Sequence, residues 1–242
     1  MKQLPNIITL LNLFIGCMAV AAAFSGQSDR AAMLVIVCAV LDFLDGTLAR
    51  VLKAESELGK QLDSLADLVS FGLAPAAIMY YYMRSSPDFP LFGAAAAIHL
   101  PALAFLITVF SALRLARFNT DPRQRSSFIG LPTPANALFF ISIPLTISFS
   151  AQQGLIYGML VDITRSSLAM GAIILVFSWL LVAPVRMFSL KITSLKLKEN
   201  SMQYLFVLTV ILLFIFVGWE SITLIIPVYI LISVLSGLRS NL

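Results

Sequence analysis

Charge is what this chain has least of. Only 12% of its 242 residues are Asp, Glu, Lys or Arg, while 60% are hydrophobic. Soluble domains carry about 25% charged residues, so a water-soluble globular fold is excluded. Histidine occurs once, and His99, just before Pro101, reads as structural. Cysteine occurs twice, at Cys17 and Cys38, in apolar runs without CxxC or other metal-ligand spacing. Both read as small buried hydrophobes. No Gly/Ser-rich or Pro-rich linker divides the chain, and no solenoid period runs along it.

What remains is apolar sequence in long runs. At about 20 residues per bilayer crossing, the polar breaks delimit eight spans, near 5–24, 31–52, 59–83, 92–114, 132–151, 167–187, 202–219 and 221–238. Lys2, an apolar run and Ala21-Ala22-Ala23 imitate a secretory signal. The run is long for one, and the topology needs it as a retained first span. The expected fold is an all-α polytopic membrane protein of about eight transmembrane helices.

The formal net charge of +4 and the pI near 9.2 speak for topology rather than nucleic-acid binding. With a cytoplasmic N-terminus, 13 of the 16 basic residues fall on the cytoplasmic side. The exceptions are Arg30, Arg84 and Arg165. This is the positive-inside pattern, and with an even number of spans it leaves both termini cytoplasmic.

Of the 12 acids, eight lie in expected loops or span ends, and Asp42, Asp45, Asp63 and Asp67 lie inside spans two and three. A carboxylate in the hydrocarbon layer costs about 2.5–3.5 kcal/mol on insertion scales. Four in one hairpin require a compensating partner. Asp42 and Asp45 are spaced i, i+3 and Asp63 and Asp67 i, i+4, so each pair shares a helix face. With the turn near Glu55 and a rise of ~1.5 Å per residue, both pairs lie at matching depth, and the hairpin gathers four carboxylates. Hard oxygen ligands favour Mg²⁺, Mn²⁺ or Ca²⁺, and a two-metal phosphoryl-transfer site is the economical reading. A cation or proton pathway and packing carboxylates are the alternatives. Gly46 would let a substrate approach the backbone, and Arg50, Ser56 and Gly59 rim the cluster as a bare ion path would not require.

Asp42-Phe-Leu-Asp45-Gly46-Thr-Leu-Ala49-Arg50, then eight residues, then Gly59-Lys-Gln-Leu-Asp63-Ser-Leu-Ala-Asp67 resembles the signature of the CDP-alcohol phosphatidyltransferase family. The resemblance implies a dimeric membrane transferase with a six-helix core, here residues 1–190, followed by an extra C-terminal hairpin at 191–242. It implies two Mg²⁺ or Mn²⁺ ions held by Asp42, Asp45, Asp63 and Asp67, with Asp67 also the general base. Gly46, Ala49, Arg50, Ser56 and Gly59 would line the site of the CDP-linked lipid. Asn6 and Thr9, in a segment resembling the family's approach to the first helix, would join them.

Asp67-Leu-Val-Ser70-Phe71-Gly72-Leu-Ala-Pro75, Arg114-Leu-Ala-Arg117-Phe118-Asn119 and Phe128-Ile-Gly130-Leu131-Pro132-Thr133-Pro134 resemble the phosphatidylserine synthase branch. This implies CDP-diacylglycerol and L-serine as substrates, with a glycerol-phosphate or inositol-phosphate acceptor as alternatives. A serine carboxylate calls for a guanidinium, so Arg114 and Arg117, with Ser70 and Asn119, are the candidate serine contacts. The site is expected to face the cytoplasm from the cell membrane. Pro75 is expected to kink span three, Gly130 to Pro134 to break the chain before span five, and Tyr80, Tyr81 and Tyr82 to anchor at an interface.

Overall fold

The computed structural model describes residues 3–88, 99–120, 128–150, 154–188 and 200–239. Helix α1 (Leu4–Phe24) starts with Pro5 in its first turn, where a missing N–H costs nothing. It buries Pro5, Thr9, Asn12, Gly16, Ala19 and Ala23, a stripe of small and polar residues at alternating steps of four and three. Helix α2 (Ser28–Val51) answers with Ser28, Ala31, Ala32, Val35 and Cys38. Lipid is as apolar as leucine, so helices associate in a bilayer through close packing of small residues. The large side chains point outward instead, with Phe14 62% and Phe43 68% exposed. Cys38 is buried as expected, but Cys17 is exposed, because it lies off the small-residue stripe.

A short loop leads to α3 (Glu57–Asp67), whose first turn is capped by Ser56: its Oγ accepts the Gly59 N–H at 3.0 Å. The helix then widens into a π turn, Leu68–Leu73, and resumes as α4 (Ala74–Arg84). Pro75 has no N–H to return to the preceding turn, and the π turn absorbs the mismatch where a kink was expected. At Gly16, α1 crosses this turn so closely that a Cβ would come within 2.6 Å of Ser70 Oγ.

A 3₁₀ turn at Pro101–Phe105 opens α5 (Leu106–Thr120). The helix runs beyond the expected end at 114, so Arg114 lies within it and Arg117 in its last turn. The expected start of this span at 92 lies outside the described residues. Helix α6 (Thr133–Phe149) follows a break at Gly130, where φ is +81° and a Cβ would strike the Leu181 carbonyl.

Residues between the expected fifth and sixth spans form a helix rather than a loop. Helix α7 (Leu155–Arg165) meets α8 (Ser167–Val182) at a 100° bend. Its 11 residues are too few to cross a bilayer, and Asp162 and Arg165 interrupt the apolar run that would have signalled it. Helix α8 ends at Val182, short of the expected 187, because Arg186–Met187 instead pairs antiparallel with Phe128–Ile129.

The chain closes with α9 (Ser201–Val217) and α10 (Ile222–Arg239). Gly218, at φ +70°, turns the chain. The Phe206 and Tyr229 rings then meet at 5.8 Å, which a continuous helix would hold about 34 Å apart. The pair is a hairpin, although the boundary expected at 190 lies outside the described residues. Helix α10 docks on α6 through a Thr146–Thr223 hydroxyl contact at 2.9 Å, and the turn before it through a Phe149–Trp219 ring pair.

Two acids assigned to loops by the sequence hold the helix starts at this end. Glu220 accepts from Ser150 Oγ at 2.8 Å and from the Tyr157 N–H of α7 at 3.2 Å. Asp88 accepts from the Ser167 N–H at 2.9 Å, the Ser167 hydroxyl and the Ser86 hydroxyl. Desolvation raises the Asp88 pKa, but these hydrogen bonds to the charged form outweigh it and hold the carboxyl below its ordinary 3.8. A depressed folded-state pKa means that the contribution is present above the ordinary value and is lost as pH falls through the lowered one. Amide exchange at Ser167 is therefore expected to stay protected at neutral pH and to rise only below about pH 4. Asp88→Ala is expected to cost about 1 kcal/mol, read by thermal unfolding in detergent.

Candidate functional site

The loop after α2 returns the chain as α3, and α1 packs against both helices. One carboxylate oxygen from each of Asp42, Asp63 and Asp67 lies within 4.8 Å of the others. Asp45 stands beside this trio and lines the same cavity as Asp42 and Asp63. Its Oδ2 turns to α1 and accepts from Thr9 Oγ1 at 2.6 Å, while its charge still acts on Asp63. Asp45 and Asp67 are buried, and Asp67 Oδ1 has no hydrogen-bond partner.

At ~4.8 Å and an effective dielectric near 20, two carboxylates repel by about 3.5 kcal/mol. In the sequence no basic residue shares these helix faces at the depth of the acids. The fold supplies one from elsewhere, since the buried Arg114 of α5 attracts Asp67 electrostatically. One guanidinium does not neutralise three clustered acids. An all-oxygen donor set with an unpartnered oxygen fits a hard divalent cation.

Above the cluster opens a cavity of about 900 Å³. Its walls include every residue expected at the nucleotide site: Asn6 and Thr9 from α1, Gly46, Ala49 and Arg50 from α2, and Ser56 and Gly59 at the start of α3. Asp42, Asp45 and Asp63 reach it, and Phe118 closes one side. A Cβ on Gly46 would meet nothing within 4 Å, so the bare backbone there faces open space. At Gly59 a Cβ would press on Asn6 Oδ1 at 3.0 Å, so α1 approaches the loop closely here. Arg50 Nε donates to the Gly46 carbonyl at 3.0 Å, holding the guanidinium along the cavity wall.

The candidate serine contacts separate. Arg114 is buried and its Nη1 donates to Thr133 Oγ1 at 3.1 Å. Its guanidinium also lies 5.5 Å from the centre of the Phe118 ring. Arg117, one turn on, is exposed and does not line the cavity. The Asn119 side-chain amide donates to Ser64 Oγ at 2.7 Å, and the Asn119 backbone carbonyl accepts from Lys60 Nζ. Ser70 is buried and donates to Asn12 Oδ1 at 2.8 Å, so it ties the π turn to α1 and not to the cavity.

Asn12 was missed, though it continues the stripe from Pro5 and Thr9 to Gly16. Thr133 and Asn136, both fully buried in α6, were missed as well. Nothing in the sequence links α6 to an aspartate more than 60 positions earlier.

Comparison with known proteins bears on the same residues. The family profile of CDP-alcohol phosphatidyltransferases matches residues 2–183, ending before the C-terminal hairpin. The CDP-diacylglycerol–serine O-phosphatidyltransferase of Helicobacter pylori (strain J99 / ATCC 700824) is 40% identical over 139 residues, 57% of this chain and 55% of the relative. The chain thus spans about half the length of that relative. The protein of the same name in Bacillus subtilis (strain 168) is 33% identical over 60% of this chain and 77% of its own length. Archaetidylserine synthase of Methanothermobacter thermautotrophicus is 32% identical over 61% and 60%. The two-part aspartate motif that converges at the foot of the cavity lies within the matched region, and the chain belongs to the CDP-alcohol phosphatidyltransferase family.

Proposed function

We propose that this chain is a phosphatidylserine synthase, which transfers the phosphatidyl group of CDP-diacylglycerol to the hydroxyl of L-serine and releases CMP. The observation that carries this reading is the carboxylate trio, two of whose members, Asp42 and Asp63, line a cavity walled by the motif residues. The names of relatives that share the region support the choice of serine.

Asp42, Asp63 and Asp67 would hold two divalent ions, Mg²⁺ or Mn²⁺, with Asp45 beside them. Bound there, the ions would neutralise the pyrophosphate and the charge developing on departing CMP. Asn6, Ser56 and Gly59 bound the space for the nucleotide, and the open backbone at Gly46 lets the pyrophosphate approach. Arg50 meets a phosphate oxygen, and Thr9 fixes the Asp45 carboxylate. Asp67 accepts the serine hydroxyl proton as that oxygen bonds to the phosphorus bearing diacylglycerol. The phosphorus–oxygen bond to CMP breaks in the same in-line displacement.

Eight crossings with both termini cytoplasmic suit this chemistry, because nucleotide and serine then arrive from the side that carries the basic residues. The helix count is supported by the hairpin of α9 and α10, by α7 and α8 acting as one broken span, and by α6 as a shorter crossing. We place the enzyme in the cell membrane as a homodimer, with the lipid tails entering between helices.

In detergent, CMP release is expected to require a divalent cation, CDP-diacylglycerol and L-serine together, with glycerol 3-phosphate, inositol phosphate and ethanolamine inactive. Release with none of these alcohols would favour an ion pathway. Asp67→Asn is expected to lower turnover at least ~10³-fold while CDP-lipid binding persists, as for a lost general base; an active variant would remove Asp67 from that role. For topology, single cysteines at Glu57 and Leu155, in a chain whose Cys17 and Cys38 are replaced by Ser, are expected to label only from the cytoplasmic and only from the opposite face, respectively.

A further inference from the structure

Buried polar atoms almost always have partners, and those that lack one mark a place that something else completes. Asp67 Oδ1, Ser111 Oγ, Arg114 Nε and both amide atoms of Asn136 lack any. The fold gathers them. Helices α3 and α5 are antiparallel, with Asn119 bonded to Ser64 at one end and Thr108 Oγ1 bonded to the Gly72 carbonyl at the other. Arg114, between these contacts, comes level with Asp67, and its bond to Thr133 brings the start of α6 to the same level.

Ser111 and Asn136 then lie one turn deeper, about 4.5 Å, on the faces that carry Arg114 and Thr133. At that depth a Cβ on Gly72 would sit 3.2 Å from Ser111 Cβ, so α5 and the π turn are in close contact. Phe118 lines the cavity and its ring centre lies 5.5 Å from the Arg114 guanidinium, so one ring separates Arg114 from the cavity wall.

The chemistry of the groups is specific. Arg114 is the one buried cation among the described residues, and Asp67 already offsets part of its charge. Such a place suits an acceptor of zero net charge and is hostile to a phosphate dianion. Asn136 offers a carbonyl and an amide N–H₂, both unused.

We propose that Asn136 and Arg114 form the acceptor subsite and recognise the zwitterionic head of an amino-acid alcohol. Arg114 Nε holds the α-carboxylate, Asn136 Oδ1 accepts from the α-ammonium one turn below, and the hydroxyl is left facing Asp67 Oδ1. The inference rests on the serine-synthase reading and deepens it by naming how the acceptor is chosen.

The test uses the full-length enzyme in detergent, with CMP release followed against L-serine, ethanolamine, which lacks the carboxylate, 3-hydroxypropanoate, which lacks the ammonium, and glycerol 3-phosphate. Asn136→Leu, close in size, is expected to raise the KM for serine about ten-fold or more, the effect of losing a hydrogen bond to a charged group. The KM for CDP-diacylglycerol is expected to stay within about two-fold, since uniform loss of acceptor binding is all that is removed. The same variant is expected to narrow the preference for serine over 3-hydroxypropanoate. Should it fail to fold, Asn136→Ala and Thr133→Val are read in the same way, the latter through the freed Arg114. A serine KM unchanged in the Asn136 variants, or a CDP-diacylglycerol KM that rises equally, overturns the subsite. A wild-type enzyme that uses glycerol 3-phosphate and not serine overturns the serine reading itself, so the two failures are distinct.

Discussion

The structure depends on a conflict of charge with medium. Three carboxylates lie within 4.8 Å of one another, in helices whose outward surfaces are leucine, phenylalanine and valine. Each acid is costly to bring into an apolar layer, and each raises the cost of the next. The surroundings answer this with one hydroxyl on Asp45, one guanidinium near Asp67 and a donor set fit for divalent cations. The chain gathers its least tolerable groups at one place, beside a cavity walled by the motif residues.

Holding such a cluster demands that three helices approach closely, and the stripe of small residues on α1 makes that possible. Gly16 admits the Ser70 hydroxyl, Gly59 admits the Asn6 side chain, and Ser70 and Asn12 are joined by a hydrogen bond. These contacts surround the acids above and below. The π turn after Asp67 belongs to the same arrangement, because it reconciles the helix that carries the acids with Pro75 further along.

The far end of the bundle uses acids differently. Asp88 and Glu220 each accept an N–H near a helix start, where an anion is favoured by the unsatisfied donors and the helix dipole. Through Glu220 the C-terminal hairpin is fastened to α7, and through Thr223 and Trp219 it is fastened to α6. The hairpin lies beyond the family match, yet Tyr229 comes near enough to Arg114 to interact electrostatically. It therefore packs behind the same region that the carboxylates face.

By itself the sequence determined the membrane setting, the helical class and the carboxylate hairpin. These follow from composition, from the length of apolar runs and from i, i+3 and i, i+4 spacing, all of which are local. The cavity wall was legible too, because Gly46, Arg50 and Ser56 adjoin the acids in the chain. Tertiary structure alone decided which way Asp45 turns, that Arg114 is buried and Arg117 exposed, that Asn12 meets Ser70 and that Thr133 meets Arg114. It also decided that 155–165 is a helix set at an angle and that Ser70 serves packing. Each of these depends on which face of one helix meets another across dozens of residues. No spacing along a single segment encodes that; it is set by close packing of small residues and by the need of buried polar groups for partners.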